Sequence, residues 1–111
     1  MKLLSAFFKN GDSEIVVMYE HKGKLKVARY PVSRTDLTRS GDIHLHTETD
    51  GTVTNIPATK AELQEALKQA ELDYAEWKAL YQAGQVEKPY PDWVSDRLVM
   101  RARLIEQEAL R

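Results

Sequence analysis

The chain contains no cysteine among its 111 residues. Without thiols it cannot form disulfides, present a thiolate nucleophile or bind a metal through sulfur. Glycine is scarce as well: the five glycines stand singly at expected turns, so no glycine-rich phosphate loop is present. The serines lack the glycine context of a nucleophile elbow. We therefore expect a protein that is not an enzyme and that carries no cofactor.

The chain also lacks a charge excess and a long apolar run. Its 16 basic and 17 acidic residues leave a net charge of -1. No segment approaches the roughly 20 apolar residues that span a bilayer, and Lys9 interrupts the apolar N-terminal run. We expect a soluble, cytoplasmic protein with no membrane partner. Small size without cysteine also suits accessory proteins of phages and mobile elements.

The residue pattern changes at Pro57, which predicts one α+β domain over residues 1–111. The pattern of residues 1–57 is typical of β-strands, and the pattern of residues 58–111 predicts a helical hairpin. Strands over 3–9, 15–21 and 24–30 predict an antiparallel meander, and 43–48 with 52–56 predict a second hairpin. We predict one antiparallel sheet of four to five strands, packed through one face on the antiparallel helix pair.

Details of the β-rich half predict its turns and its faces. Asn10-Gly11 and Asp50-Gly51 favour tight hairpins with positive φ at the glycines, and Lys22-Gly23 forms a turn between them. In the third strand Leu25 and Val27 alternate with lysines, which predicts that the two apolar side chains face the core. Ser33 and Asp36 have the spacing of a helix-start box, so one helical turn is predicted there.

The helical half begins with the clearest signal in the chain. Thr59 and Glu62 form a capping box, and Gly84 occupies the position of a left-handed C-cap. Between them runs an apolar seam with heptad spacing: Leu63, Leu67, Ala70, Tyr74, Trp77 and Tyr81. We expect Trp77 in the core. A second helix is predicted from Pro91 or Asp92 toward Leu110, after a linker that two prolines stiffen.

Aromatic and arginine residues near this linker predict a protein-binding surface, because tyrosine, tryptophan and arginine dominate interface hot spots. The candidate partner-binding residues are Tyr81, Tyr90, Trp93, Arg97 and Arg101. For the two arginines, pairing with acids of the first helix is the alternative. These residues favour the hypothesis that the protein is a small interaction module, such as an adaptor, inhibitor or assembly factor. The regular seam further predicts a homodimer.

A basic segment, Lys22–Arg39, offers an alternative function. Lys22, Lys24, Lys26 and Arg29 could contact phosphates, with tyrosines nearby for stacking on bases. Lysine on a strand also prevents edge-to-edge aggregation, and the neutral overall charge does not favour a polyanion partner. Nucleic-acid binding therefore ranks behind protein binding.

A third candidate is a metal site on the second predicted hairpin. Residues two apart on a strand project to one face, so His44, His46 and Glu48 could converge on one ion. The simpler interpretation is that Ile43, Leu45 and Thr47 are buried and the other three are solvated. A metal-dependent enzyme ranks last, and no metal is assigned.

Overall fold

The computed structural model describes residues 2–38, 45–49, 52–56 and 59–110, with side chains described for 2–37 and 59–110. Over these described ranges the chain forms two antiparallel sheets, one short 3-10 turn at Asp36–Thr38 and two helices. The elements are β1 (Lys2–Lys9), β2 (Glu14–His21), β3 (Lys24–Tyr30), β4 (Leu45–Thr49), β5 (Thr52–Ile56), α1 (Lys60–Gln82) and α2 (Tyr90–Ala109).

The first three strands form the predicted meander, in the order β1-β2-β3. Both turns form where they were predicted. Gly11 has the predicted positive φ, at +65°, and Gly23 also has a positive φ, at +75°. The 3-10 turn also forms where it was expected: the Ser33 N–H donates to the Asp36 carboxylate at 2.8 Å, and the Asp36 N–H donates to the Ser33 hydroxyl at 3.2 Å. Local turn chemistry thus fixes the layout of this sheet.

One face of the three-stranded sheet packs on α1. The register pairs Ala6 with Val17 and Val17 with Ala28, and paired residues project to the same side. These side chains join Leu63 and Ala66 of α1 in one apolar core. We call this side the α1 face. Its core also includes Ile15, Tyr19, Tyr30 and Leu37.

The opposite face packs on α2. The register of β1 shifts between Leu3 and Ser5, so that Leu4 and Ser5 both lie opposite Met18. Leu4 thereby turns away from the α1 face and packs with Leu98 and Ala102 of α2. Met18, Leu25, Val94 and Ile105 surround that second cluster. We call this side the α2 face.

Three sequence expectations about the sheet need correction. The five strands exist, but they form a three-stranded and a two-stranded sheet rather than one sheet of four to five strands. The helices cover opposite faces of the larger sheet instead of sharing one face. Because the sheet lies between two helices, both faces of β3 carry apolar residues: Ala28 and Tyr30 are buried on the α1 face, whereas Val27 on the other face is largely exposed.

Helix α1 begins and ends as predicted. The Glu62 N–H donates to the Thr59 hydroxyl at 3.2 Å. At the C-terminus, the N–H groups of Gly84 and Gln85 donate to the carbonyls of Tyr81 and Leu80, the pattern of a Schellman motif, with Gly84 at φ +72°. The chain therefore leaves α1 in a fixed direction.

The buried face of α1 differs from the predicted seam. Leu63 is buried, but the next buried residues are Ala66 and Asp73, and Tyr74 and Tyr81 are exposed. Trp77 is half-buried and lies in neither apolar cluster, so its placement in the core was wrong. Only the N-terminal half of the seam contacts the sheet.

The two helices run antiparallel and are joined by ion pairs. Arg101 donates two hydrogen bonds of 2.8 Å to the Asp73 carboxylate. About one helical turn away, Arg97 forms a second ion pair with Glu76, also through two contacts. Within the described residues, neither helix has the length and apolar composition needed to cross a bilayer.

Candidate functional site

Four aromatic rings gather where α1 and α2 meet. Trp77 stacks on Tyr81 with ring centroids 5.0 Å apart. Tyr90 meets Tyr74 and Trp77 edge-on, at 5.1 Å and 5.7 Å. The C-terminal half of the seam therefore packs on the first residue of α2 instead of on the sheet. Such edge-on and offset contacts are the favoured geometry of aromatic pairs.

Hydrogen bonds fix the linker against this cluster. The Trp77 indole N–H donates to the Lys88 carbonyl at 2.9 Å, and the Tyr90 hydroxyl reaches the Ala70 carbonyl at 3.4 Å. Burial, followed by the charge of Asp73 and the neighbouring Tyr74, raises the pKa of Tyr90 above its usual value. The phenol therefore stays neutral at physiological pH and acts as a fixed polar contact between the helices.

The segment Pro89–Tyr90–Pro91 forms a ridge between two hollows. We call it the proline–tyrosine ridge. Tyr90 and Pro91 line both hollows, so the two concavities belong to one continuous surface. Since proline restricts its own backbone and that of the residue before it, the ridge is stiff.

The first hollow, which we call the sheet-side hollow, lies between the α2 face of the sheet and the N-terminal half of α2. Its volume is about 390 Å³. None of the described residues that line it carries a charge: Ser5, Phe7, Met18, Leu25, Val27, Ala70, Tyr90, Pro91, Val94, Ser95 and Leu98. Phe7 is 42% exposed and Val27 is 61% exposed, because α2 covers only part of this face.

The second hollow, which we call the aromatic hollow, lies on the α1 side of the ridge and has a volume of about 430 Å³. Tyr74 is 47% exposed and Tyr81 is 51% exposed at its wall. Among the described residues that line it, Glu87 alone is charged. Four large side chains around a single ridge thus present apolar surface to solvent, an arrangement that usually marks an interface.

The structure divides the predicted partner-binding residues into two groups. Tyr81 and Tyr90 come together at the aromatic hollow. Trp93 lines neither hollow and lies under the Arg97 guanidinium, which is 4.4 Å from the ring centroid. Arg97 also binds Glu76, and Arg101 binds Asp73. Both arginines therefore make the intramolecular contacts that sequence analysis weighed as their alternative.

The sheet-side hollow was not predicted from the sequence. Val27 was assigned to the core, and Phe7 lies in a sheet that was expected to pack on the helices through one face only. A signal was present: Ala28 and Tyr30 continue the lysine face of β3, so apolar residues occupy both faces of that strand. Two apolar faces on a strand imply two packing layers, and one of those layers can be incomplete.

The basic segment does not form one surface. Lys24 and Lys26 lie on the α1 face, as their register with His21 and Tyr19 shows, whereas Arg29 pairs with Val16 on the α2 face. Lys22 occupies the turn between β2 and β3, with φ +53°. A strand of nucleic acid would have to contact both sides of the sheet to reach all four residues.

The weak metal candidate falls outside what the structure describes. His44 lies beyond the described residues, and the side chains of His46 and Glu48 do too. Asp50, Gly51 and Pro57 are likewise outside them. Among the described residues, no group of three or more histidine, aspartate or glutamate side chains is placed to hold a metal ion.

A third concavity, of about 630 Å³, lies between β1 and α1 and is more polar than the two hollows. Its strongest polar groups already have partners: Glu62 accepts from the Thr59 hydroxyl at 3.2 Å, and Arg101 binds Asp73. In this cleft, contacts within the chain therefore already satisfy these polar groups.

Comparison with models of protein families gave no match for this chain, and comparisons with curated proteins and with solved structures gave none either. The function is therefore inferred from the surface of the protein itself.

Proposed function

We propose that the protein is a non-catalytic protein-binding module whose working surface is the proline–tyrosine ridge with the hollow on each side. The observation that carries this proposal is the exposure of Phe7, Val27, Tyr74 and Tyr81 around one stiff ridge. An adaptor, an inhibitor or an assembly factor would use such a surface. The protein works in this proposal by contact and changes no covalent bond.

The physical basis is the free energy of covering apolar surface. Each Å² of apolar surface removed from water contributes about 25 cal/mol, and the exposed parts of Phe7 and Val27 lie in a concavity that a partner side chain can fill. The surrounding groups need little ordering on binding, because Trp77 and Tyr90 already hold the ridge through hydrogen bonds. A surface ordered in advance loses less entropy when it binds.

The other candidate functions have weaker support. The separation of Arg29 from Lys24 and Lys26 onto opposite faces gives nucleic acid no continuous basic surface. In the described cleft between β1 and α1, Arg101 is bound within the chain and not directed at a ligand. Among the described residues, four exposed large apolar side chains line the two hollows: Phe7, Val27, Tyr74 and Tyr81.

Site-specific photo-cross-linking in the cells that produce the protein tests this proposal. A photoreactive amino acid replaces Val27 in the sheet-side hollow. The control replaces Leu104, an exposed apolar residue of α2 that lines neither hollow. We expect a light-dependent protein adduct from position 27, none from position 104, and loss of the adduct when Phe7→Lys is added.

Two results would count against the proposal. The first is the absence of any protein adduct from position 27 in a chain that folds normally. The second is an equal yield of adducts from positions 27 and 104, which would mean that the contacts are non-specific. An adduct with any protein, including a second copy of this chain, supports the function.

A further inference from the structure

We infer that the aromatic hollow binds a quaternary ammonium group, which is held by the aromatic rings and by the carboxylate of Glu87. Such a group occurs on trimethylated lysine side chains and on small solutes such as choline, and the chemistry that recognises it is the same in both. The inference rests on the proposed function, because this hollow belongs to the surface proposed there, and it names the chemistry of the group that enters the hollow.

Aromatic rings line the hollow from two elements of the fold. Tyr74, Trp77 and Tyr81 line it from α1, and Tyr90 lines it from the first residue of α2. The rings do not share one plane, since Tyr90 stands at 81° to Tyr74 and at 62° to Trp77. The face of an aromatic ring is electron-rich and attracts a cation that lies within about 6 Å of the ring centre. Four rings around one hollow of about 430 Å³ therefore favour a bulky cation with an apolar surface.

The unpaired charge at the hollow is negative. Among the described residues, the Glu87 carboxylate has no hydrogen-bond or ion-pair partner, and no cationic side chain lines the hollow. Lys88 and Arg97 share a neighbouring concavity with Glu87, but Lys88 contacts Asp96 at 2.8 Å and Arg97 pairs with Glu76. A carboxylate without a partner beside aromatic rings attracts a cation and repels an anion.

The hydrogen-bonding groups of the hollow favour a cation that has no N–H groups. The Trp77 indole N–H already donates to the Lys88 carbonyl, and the Tyr90 hydroxyl reaches the Ala70 carbonyl. A lysine ammonium brings three N–H donors and a tightly held hydration shell, and Glu87 is the one carboxylate that could compensate for the lost water. A quaternary ammonium has no N–H to satisfy, and its charge is attracted directly to the rings.

The test is a titration of the purified chain with choline, followed through the NMR signals of the indole N–H groups. The chain has two tryptophans. Trp77 lines the hollow and Trp93 does not, so the Trp93 signal is an internal control, and Trp93→Phe assigns the two signals. We expect the Trp77 signal to move, with half-saturation on the order of millimolar choline, and the Trp93 signal to stay.

Two other ligands separate the effect of charge from that of shape. The neutral analogue of choline, in which a tert-butyl group replaces the trimethylammonium group, should bind at least about fivefold more weakly than choline. Ethanolamine, which carries a bare ammonium, should also bind more weakly, because its N–H groups lose water on entering the hollow.

Substitutions test the rings and the carboxylate in turn. Tyr81→Leu removes a ring and keeps an apolar side chain, and it should weaken choline binding at least about threefold. Tyr81→Phe keeps the ring and should bind more tightly than Tyr81→Leu. Glu87→Gln removes the charge with little change of shape and should also weaken binding. Glu71→Gln, at an exposed carboxylate of α1 that does not line the hollow, should leave binding unchanged. Thermal melting checks that each variant is folded, and Glu87→Gln decides the question if Tyr81→Leu is not.

A blocked tripeptide with trimethyllysine between two glycines distinguishes the two sources of the cation. Binding at least as tight as that of choline would assign the hollow to a modified side chain of a protein partner. Binding of choline without binding of the peptide would assign it to a free solute.

Three results would overturn the inference. They are a Trp77 signal that choline does not move or moves no more than the Trp93 signal, equal binding of choline and its neutral analogue, and unchanged binding in folded Tyr81→Leu and Glu87→Gln. The proposed function is tested separately at position 27, in the other hollow. A protein adduct from that position without choline binding leaves the function standing and removes the cation, whereas choline binding without any adduct removes the protein-binding function and leaves a cation site.

Discussion

The carboxylate of Asp73 and the guanidinium of Arg101 form a two-contact ion pair across the helical hairpin, with both contacts at 2.8 Å. The Asp73 side chain is 2% exposed and the Arg101 side chain is 31% exposed. Gln69 donates a further hydrogen bond to the carboxylate at 3.3 Å. A buried charge of this kind is stable only while its partners remain, because water cannot replace them.

Removing one member of this pair should therefore destabilise the protein. We expect Asp73→Ala to lower the free energy of unfolding by about 3 kcal/mol, the lower end of the range for buried pairs, since Arg101 keeps some contact with water. Asp73→Leu combined with Arg101→Leu should recover most of the loss, because no buried charge is left unpaired. Urea unfolding followed by circular dichroism measures both variants.

The exposed pair of Asp12 and Arg34 is the control: Asp12→Ala should cost less than about 1 kcal/mol. Equal losses for Asp73→Ala and Asp12→Ala would show that burial of the first pair has no effect.

The same carboxylate makes stability depend on pH. Burial by itself raises the pKa of Asp73, but the hydrogen bonds and charge of Arg101, together with Gln69 and Arg97, outweigh burial and hold the pKa below its ordinary value of 3.8. A carboxyl whose pKa is lower in the folded state stabilises the protein above the unfolded pKa and loses that effect as the pH falls through the folded pKa. We therefore expect the difference in stability between wild type and Asp73→Asn to be constant from neutral pH down to about 5 and to shrink below it. Urea unfolding from pH 7 to pH 2.5 measures this difference. A difference that grows in acid would contradict the assignment.

Much of the fold follows from local signals in the sequence. Helix α1 begins at its capping box and ends at Gly84, and the meander has the turns that its glycines predict. These elements depend on contacts between residues close in the chain. The distribution of helices between the two faces depends on tertiary contacts instead, and the face that Leu4 takes depends on the bulge in β1. A single shift of register changes which face a side chain takes, and alternation alone does not reveal it.

The candidate surface was predictable only in part. The seam spacing identified Tyr81 as an aromatic of α1, and the linker identified Tyr90, but their contact depends on the direction in which the chain leaves α1. The sheet-side hollow was not predictable, because its existence follows from α2 being placed over only part of the sheet. The apolar character of Val27 predicted that its side chain is buried. Whether another element covers that side chain depends on the tertiary arrangement, which the local sequence does not show.

Gly23 lies in a tight turn directly beneath α2. A Cβ atom there would lie 1.8 Å from a carboxylate oxygen of Glu106, whereas a Cβ at Gly11 would meet nothing within 4 Å. Both glycines have positive φ, at +75° and +65°. We expect Gly11→Ala to cost about 1 kcal/mol for its backbone conformation alone, and Gly23→Ala to cost more because Glu106 must also move.

A double-mutant cycle isolates that second contribution. Adding Glu106→Ala to Gly23→Ala should recover most of the extra loss, because only the Cβ of residue 106, at 3.0 Å, then remains close. Glu106→Ala alone should have little effect. Thermal unfolding provides the comparison. If Gly23→Ala and Gly11→Ala cost the same, then α2 does not approach this turn as closely as the structure shows.

Trp77 stabilises the hairpin through one hydrogen bond and its ring contacts, without belonging to the core. Its indole N–H donates to the Lys88 carbonyl at 2.9 Å, and its ring stacks on Tyr81. Trp77→Phe removes the hydrogen bond but keeps an aromatic ring, and we expect a loss of about 1 kcal/mol. Leu63→Ala, at a fully buried position of the same helix, should cost about 2–5 kcal/mol. Urea unfolding followed by far-ultraviolet circular dichroism measures both on the same scale and does not depend on tryptophan fluorescence. A Trp77→Phe variant less stable than Leu63→Ala would mean that the aromatic cluster, and not the sheet, is the principal support of α1.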